Sequence, residues 1–333
     1  MDVKIAFLHV TSDEEMYLAP PAGVQVPDGD VLRLLKSLYG LRQSNKCWND
    51  RFHSFLIKLG FARSPTESCL YWRRTSRGVV LIVIYVDDML ICYNDEEEAT
   101  QIKTKLAEEF EMKDLGHAKR FMGLEIDPID GELTINQSLF IEKILEKFWL
   151  SDCNPVSTPM DAGLKLQRSD GTDRTENPYR ALLGSLMYVM LGSRLDICFA
   201  LSLLSRFQDS ATNEHWNHLK RTLRYLKGTK NLKLTYRRNE VPVIRTFADS
   251  DWANDAIDRK SASGFLVQVY GNTVIWSSKK QSIIALSSTE AEYVAACSAC
   301  CETVWLINTL TDLKFEVARP VAVHEDNQAC IMI

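Results

Sequence analysis

The sequence lacks an apolar run long enough to span a bilayer, a leader-like start, an internal repeat and any low-complexity tract. Those absences point away from membrane-embedded, secreted, solenoid and disordered classes. They point toward an ordinary globular protein in an intracellular, cytoplasmic setting. An excess of basic charge is missing too, since the formal net charge is −5. That excludes a protein that coats nucleic acid wholesale, but leaves room for a local basic groove. The nine cysteines are scattered without paired spacing, which fits a reducing compartment better than a disulfide framework. Cys297, Cys300 and Cys301 fall in a helical stretch with no second ligand pair to complete a zinc site. They are expected to be buried small hydrophobes.

What is present is enough chain for two or three domains, 333 residues. Residues 79–93 form a solid apolar run broken once, by Asp87 and Asp88. β-Branched residues dominate its first half, which predicts a strand buried on both faces, followed by a tight turn over 85–88 and a second strand. Asp-Asp is a poor choice for a two-residue hairpin turn, which prefers Asn-Gly or Asp-Gly. Two carboxylates beside an apolar hairpin are costly unless positive charge neutralises them. A pair of divalent cations would do so; the alternative is a solvated surface turn.

In chain order, the pattern predicts a strand over 1–8 carrying Asp2, largely helical chain over 31–59, the hairpin, and a helix over 95–110. Short strands follow at 121–126 and 133–135, joined by a turn at 127–131. That order suits helices on one face of an antiparallel sheet. A helix over 139–150, a proline-bearing linker over 154–178 and a mostly helical stretch over 179–228 come next. Three strands (243–248, 264–270, 272–276), a long helix (289–310) and a last strand (321–324) complete the chain.

Several boxes carry a resemblance. Tyr85-Val86-Asp87-Asp88 inside IVIYVDDMLI, MDVKIAFL at the start, LYGLRQS at 38–44, RTLRYLKGT at 221–229, ADSDWAND at 248–255 and SSTEAEY at 287–293 stand in order. Together they resemble the Pol polyprotein of copia-type LTR retrotransposons, in its reverse transcriptase and ribonuclease H region, over nearly the whole chain. The resemblance implies an α+β reverse-transcriptase palm over 1–135, a helical thumb/connection over 136–240, and an α/β ribonuclease-H-like domain over 241–333. It implies RNA-directed DNA synthesis and hydrolysis of the RNA strand of a hybrid, both by two-metal phosphoryl transfer with Mg²⁺ or Mn²⁺. Partners would be an RNA template, a DNA primer, an RNA–DNA hybrid and dNTPs, with no membrane, and a virus-like particle or the nucleus as further locations.

The same resemblance assigns residues. Asp2, Asp87 and Asp88 would be the catalytic, metal-holding acids of the polymerase. Phe7 would gate against a ribose 2′-hydroxyl, or is simply core. Tyr39, Gly40, Gln43 and Tyr85 would contact nucleotide or template. Asn45 stands where the family has a proline, and His9-Val10 where it has Asn-Gly. Asp249, Glu292 and Asp326, each expected in a separate element, would converge as the catalytic, metal-holding acids of the nuclease, with Asp251 a lesser candidate and Glu290 the rival to Glu292. The acid-free basic stretch 220–238, with Lys220, Arg221, Arg224 and Lys227 at its head, reads either as a track for a phosphate backbone or as a solvated helix face. His215 and His218 at i, i+3 lack a third ligand. The resemblance further implies that the fingers region and the last part of the nuclease domain lie outside this chain. A catalytically dead remnant that keeps the fold and nucleic-acid binding is therefore the alternative.

Overall fold

A computed structural model describes residues 1–11, 14–27, 29–129, 131–169, 173–238 and 243–333. The chain divides into two compact units, Met1–Ala118 with Asp312–Lys314, and Lys119–Thr311 with Phe315–Ile333.

The first unit is built on an antiparallel sheet. Its strand order is Ala62–Arg63, Leu70–Arg74, Val79–Tyr85, Asp88–Tyr93, Asp2–Val3 and Met112–Lys113. Along Val79–Tyr85 the side chains alternate, so Val80, Ile82 and Ile84 are buried, Val79, Leu81 and Val83 are half-buried and Tyr85 is exposed. The strand is thus sealed on one face rather than on both. That face packs with Trp48, Phe52 and Leu56 of the helix Ser44–Lys58, Ile102 and Leu106 of the helix Glu96–Glu109, and Phe110 just beyond it. Asp95 caps the second of these helices by accepting from the Glu98 amide at 2.8 Å.

Two stretches depart from the sequence reading. The strand expected over 1–8 is only Asp2–Val3, because Ile5 takes φ 53° and the chain turns into a 3-10 helix, Ala6–His9. Ala6 and Phe7 are both buried within that turn of 3-10 helix. The helix expected over 31–59 begins only at Ser44. Leu32–Arg33 instead pairs with Tyr17–Leu18, and Gly40 sits at φ 95°, a turn that breaks helical continuity.

The second unit contains two four-stranded sheets and a helical core. One sheet orders Leu234–Tyr236, Glu132–Asn136, Leu124–Ile129 and Arg120–Phe121. The expected strand over 121–126 is split by Met122 and Gly123, both at positive φ. The hairpin of this sheet, expected with the chain before 135, pairs through Leu133 and Tyr236 inside the second unit. The division between compact units falls at Ala118. Residue 130 of the expected turn, 170–172 of the expected linker and the expected boundary at 240 lie outside the described residues. Helices Ser138–Lys147, Tyr179–Gly192, Cys198–Ser205 and Asn213–Gly228 enclose Leu182, Leu186, Leu201, Leu219 and Leu223.

The other sheet orders Asn272–Lys280, Ala262–Val269, Ile244–Ser250 and Ala322–His324, the last pair parallel. The helix Ser288–Asp312 lays Ala291, Ala295, Ala299 and Thr303 inward, with Thr303 hydrogen-bonded to Thr246 of the sheet at 2.7 Å. By length and composition this helix could cross a membrane, contrary to the expectation that no such run exists. Its inward face carries the ionisable Glu292 and the paired Thr303 hydroxyl, the chemistry of a helix seated on a sheet.

Candidate functional site

In the first unit, strand register makes the site. Asp2 is the direct antiparallel partner of Asp88, and Lys113 is its partner on the other side. Directly opposed residues present side chains to the same face. The hairpin turn is Val86-Asp87, not the Asp-Asp pair, because Tyr85 pairs with Asp88. Val86 adopts φ 56°, and its carbonyl accepts from the Trp48 indole at 2.7 Å. The Val3 amide donates to the Asp87 carbonyl at 2.9 Å. Partial burial, then the charges of Asp87 and Asp2, hold the Asp88 carboxyl above the ordinary aspartate range.

The residues expected to contact nucleotide are distributed around this edge. Phe7 is buried and meets Tyr39 edge-on, with centroids 4.5 Å apart. The Tyr39 hydroxyl is pushed up by burial and by the Asp87 charge, which sets it beside that carboxylate. Gly40 has open space where a side chain would stand. Gln43 donates to Glu14 at 2.7 Å, and Tyr85 is exposed.

The second unit brings together Asp249 near the end of Ile244–Ser250, Glu292 on the inward face of the long helix, and Asp326 just after Ala322–His324. One carboxylate oxygen from each lies within 4.8 Å of the others, the one such metal-capable group among the described residues. Glu292 is 6% exposed and its Oε2 has no hydrogen-bond partner. Burial first, then Glu325, Asp249 and Asp326, push its carboxyl up to about 7. An all-oxygen donor set with an orphaned buried oxygen fits a hard divalent cation. The rivals have other tasks. Glu290 accepts from the Leu286 amide at the helix start, and Asp251 accepts from the Ala262 amide to close the strand end. Glu325 was missed by the sequence reading; its one signal is that it precedes Asp326.

Most of the basic stretch is engaged with partners inside the chain. Arg221 pairs with Asp161 and donates to Thr158, both at 2.9 Å. Arg224 donates to the Asn154 carbonyl at 2.7 Å, and Lys227 to the Ser151 and Cys153 carbonyls at 2.5 and 2.6 Å. Lys230, Lys233 and Arg237 pair with Glu142, Asp127 and Glu132. The helix thereby ties down the segment after Ser138–Lys147. Lys220 has no such partner among the described residues. His215 is buried as the capping-box partner of Thr212. Cys297, Cys300 and Cys301 are exposed, not buried, because Ala291, Ala295 and Ala299 take the inward face.

Comparison with known proteins places the chain among transposon proteins. Residues 1–162 match the reverse transcriptase (RNA-dependent DNA polymerase) family. The chain is 36% identical over 99% of its length to a retrovirus-related Pol polyprotein from transposon TNT 1-94 of Nicotiana tabacum, and 34% over 98% to one from transposon RE1 of Arabidopsis thaliana. It spans only 26% and 22% of those two proteins. Against a transposon Ty5-1 protein of Saccharomyces cerevisiae it is 33% identical, covering 89% of this chain and 98% of that one.

Proposed function

The chain belongs to the reverse transcriptase family of retrotransposon Pol proteins, and on that premise we propose that it carries two phosphoryl-transfer sites. In this reading the first unit is an α+β palm whose Asp2, Asp87 and Asp88 serve RNA-directed DNA synthesis. The helices around 138–228 form a thumb/connection, and the last sheet with its long helix is a ribonuclease-H-like domain. The observation that carries the reading is the convergence of Asp249, Glu292 and Asp326 from three separate elements to within 4.8 Å.

Bound Mg²⁺ or Mn²⁺ would supply activation of the attacking oxygen and neutralisation of the leaving phosphate. The chain's own residues do the positioning. Asp2 and Asp88 are held opposite each other by sheet register. The indole of Trp48 fixes the turn that presents Asp87. Phe7, packed edge-on to Tyr39, would stand where it limits the sugar of an incoming dNTP. In the second site the Asp249 strand and the Asp326 strand are parallel neighbours, so both acids leave the same end of the sheet toward Glu292. RNA template, DNA primer and RNA–DNA hybrid are the substrates this reading assigns.

Two assays test it on the full chain with Mg²⁺ or Mn²⁺: primer extension on an RNA template, and hydrolysis of a labelled RNA–DNA hybrid. Extension lost in Asp87→Asn, and hydrolysis lost in Asp249→Asn, are the expected results. Hydrolysis that survives Asp249→Asn would overturn the nuclease assignment, and absence of both activities would overturn the reading for this chain.

A further inference from the structure

We propose that Gly264 marks a sugar subsite beside the second acidic site, in a groove that takes the pentose next to the scissile phosphate of the RNA strand. This rests on the reading of that site as a nuclease, and adds a substrate contact to it.

The groove encloses about 420 Å³. Its floor is one face of the last sheet. Gly264 pairs directly with Asp249 on one side and with Ser278 on the other, so the three share that face. Leu266 and Trp276, two residues along, lie on it too. The wall is Leu195 and Phe199, from the 3-10 helix Leu195–Ile197 and the helix after it. The Trp276 indole donates to the Met190 carbonyl at 3.1 Å and fastens the floor to the helical core.

Nothing inside the described chain asks for glycine at 264. It lies within the strand Ala262–Val269, away from the irregularity at Val267 and Gln268, and its φ is not left-handed. A Cβ placed there would meet only the Asp249 and Ser277 carbonyl oxygens, each at 3.9 Å, an ordinary contact. Glycine weakens a strand interior, and where no bulge or bend accounts for it, it marks the close approach of a ligand or another backbone. The space over Gly264 is open, so the approach is a ligand's.

The lining selects that ligand. Asp249 belongs both to the groove and to the acidic triad, so the two are continuous. No lysine or arginine lines the groove, which suits an uncharged group and not a phosphate. Phe199 is 42% exposed and offers an apolar face, while Ser278 stands across Gly264 from Asp249 with its hydroxyl. Gly264 is one strand, about 4.8 Å, from Asp249. A sugar attached to a phosphate held by the triad would lie over it.

The test uses the full chain in an Asp88→Asn background that silences the first site, with Mn²⁺ and a labelled RNA–DNA hybrid. Gly264→Ala is expected to melt at the parent's temperature or higher and to keep its Mn²⁺ binding by electron paramagnetic resonance. It should nevertheless raise KM for hybrid hydrolysis about tenfold. Gly264→Val, larger by two methyl groups, is expected to abolish hydrolysis. Cross-linking gives a readout free of turnover. A benzophenone amino acid in place of Phe199 should capture the RNA strand on irradiation, and Gly264→Val should prevent the capture. Unchanged KM and unchanged capture in the glycine variants would overturn the inference, as would capture of the DNA strand alone. A lower melting temperature in Gly264→Ala would overturn it too, by returning the glycine to the fold. If Asp249→Asn loses Mn²⁺ but the cross-linker captures no RNA, the subsite alone fails. If Asp249→Asn binds Mn²⁺ as the parent does, the nuclease reading fails with it.

Discussion

Asp2 and Asp88 meet because two strands are neighbours in one sheet. Asp249, Glu292 and Asp326 meet because a strand, a helix and a loop after another strand all reach one point. The first arrangement needs only correct register, and its acids are half-buried, so water shares the cost of their repulsion. The second needs the whole sheet-and-helix layer in place, and its central glutamate is sealed from solvent. Repulsion in the second site is therefore concentrated on one residue, Glu292, whose proton is held to about 7. A site set by register should tolerate damage elsewhere in its unit. A convergent site should not.

The largest effect that would break this contrast comes from Asp255. This 8% exposed residue lies between the Asp249 strand and its neighbour and accepts from Arg206 at 2.6 Å and Lys280 at 2.7 Å. Those cations and two backbone amides hold its carboxyl well below the usual range despite burial. Asp255→Ala takes the carboxylate from half-buried Arg206 and leaves Lys280 with Asp258 alone, and a loss of about 3 kcal/mol in denaturant unfolding is expected. The Mn²⁺-dependent melting shift that requires Asp249 should vanish with it, while the shift that requires Asp88 should remain. Loss of both would show that the two sites do not differ in dependence.

Glu292→Gln is expected to come next. The folded chain holds the Glu292 proton up to about 7, against 4.5 for an ordinary glutamate. That contribution to stability is fully present below about pH 4.5 and is lost as the pH rises through about 7. The metal-free protein should lose at most about 3 kcal/mol across that window, since one pKa unit is about 1.4 kcal/mol. Glu292→Gln should flatten that part of the pH–stability curve, and the metal-dependent stabilisation at neutral pH should disappear with it. A wild-type curve that rises over the same window would contradict the sign. Asp88→Asn should act in the same direction but more weakly, on the order of 1 kcal/mol or less, because solvent reaches the hairpin acids.

Local signals account for what was legible. The hairpin at 79–93 and the helix Glu96–Glu109 carry their periodicity and cap within a few residues, and the order of three strands, helix and strand after 243 is the order found. The stretch 34–43 looked helical from its leucines, yet Gly40 at positive φ and exposed Leu35 place it in turns. The long helix Ser288–Asp312 is apolar nearly all round. Its sequence therefore gave no stripe to tell an inward alanine face from an outward cysteine face. Glu325 could not be told from any other acid beside Asp326, since the burial of its side-chain oxygen depends on the folded chain.

The smallest expected effect concerns the basic helix, where the sequence offered two readings and the structure supplies a third. Arg221, Arg224 and Lys227 reach partners 60 to 76 residues away in the chain, so no local pattern announces them. A basic residue that neutralises a phosphate adds about 0.9 to the magnitude of the salt slope of duplex binding. One already donating to backbone carbonyls adds little, since leaving them would orphan those carbonyls. Arg224→Ala and Lys227→Ala should therefore leave the slope for hybrid binding unchanged, while each lowers stability by about 1 kcal/mol. Lys220→Ala should do the reverse, lowering the slope by up to about 0.9 with no change in the melt. A slope that falls in Arg224→Ala and Lys227→Ala, without loss of stability, would return the helix to the role of a phosphate track.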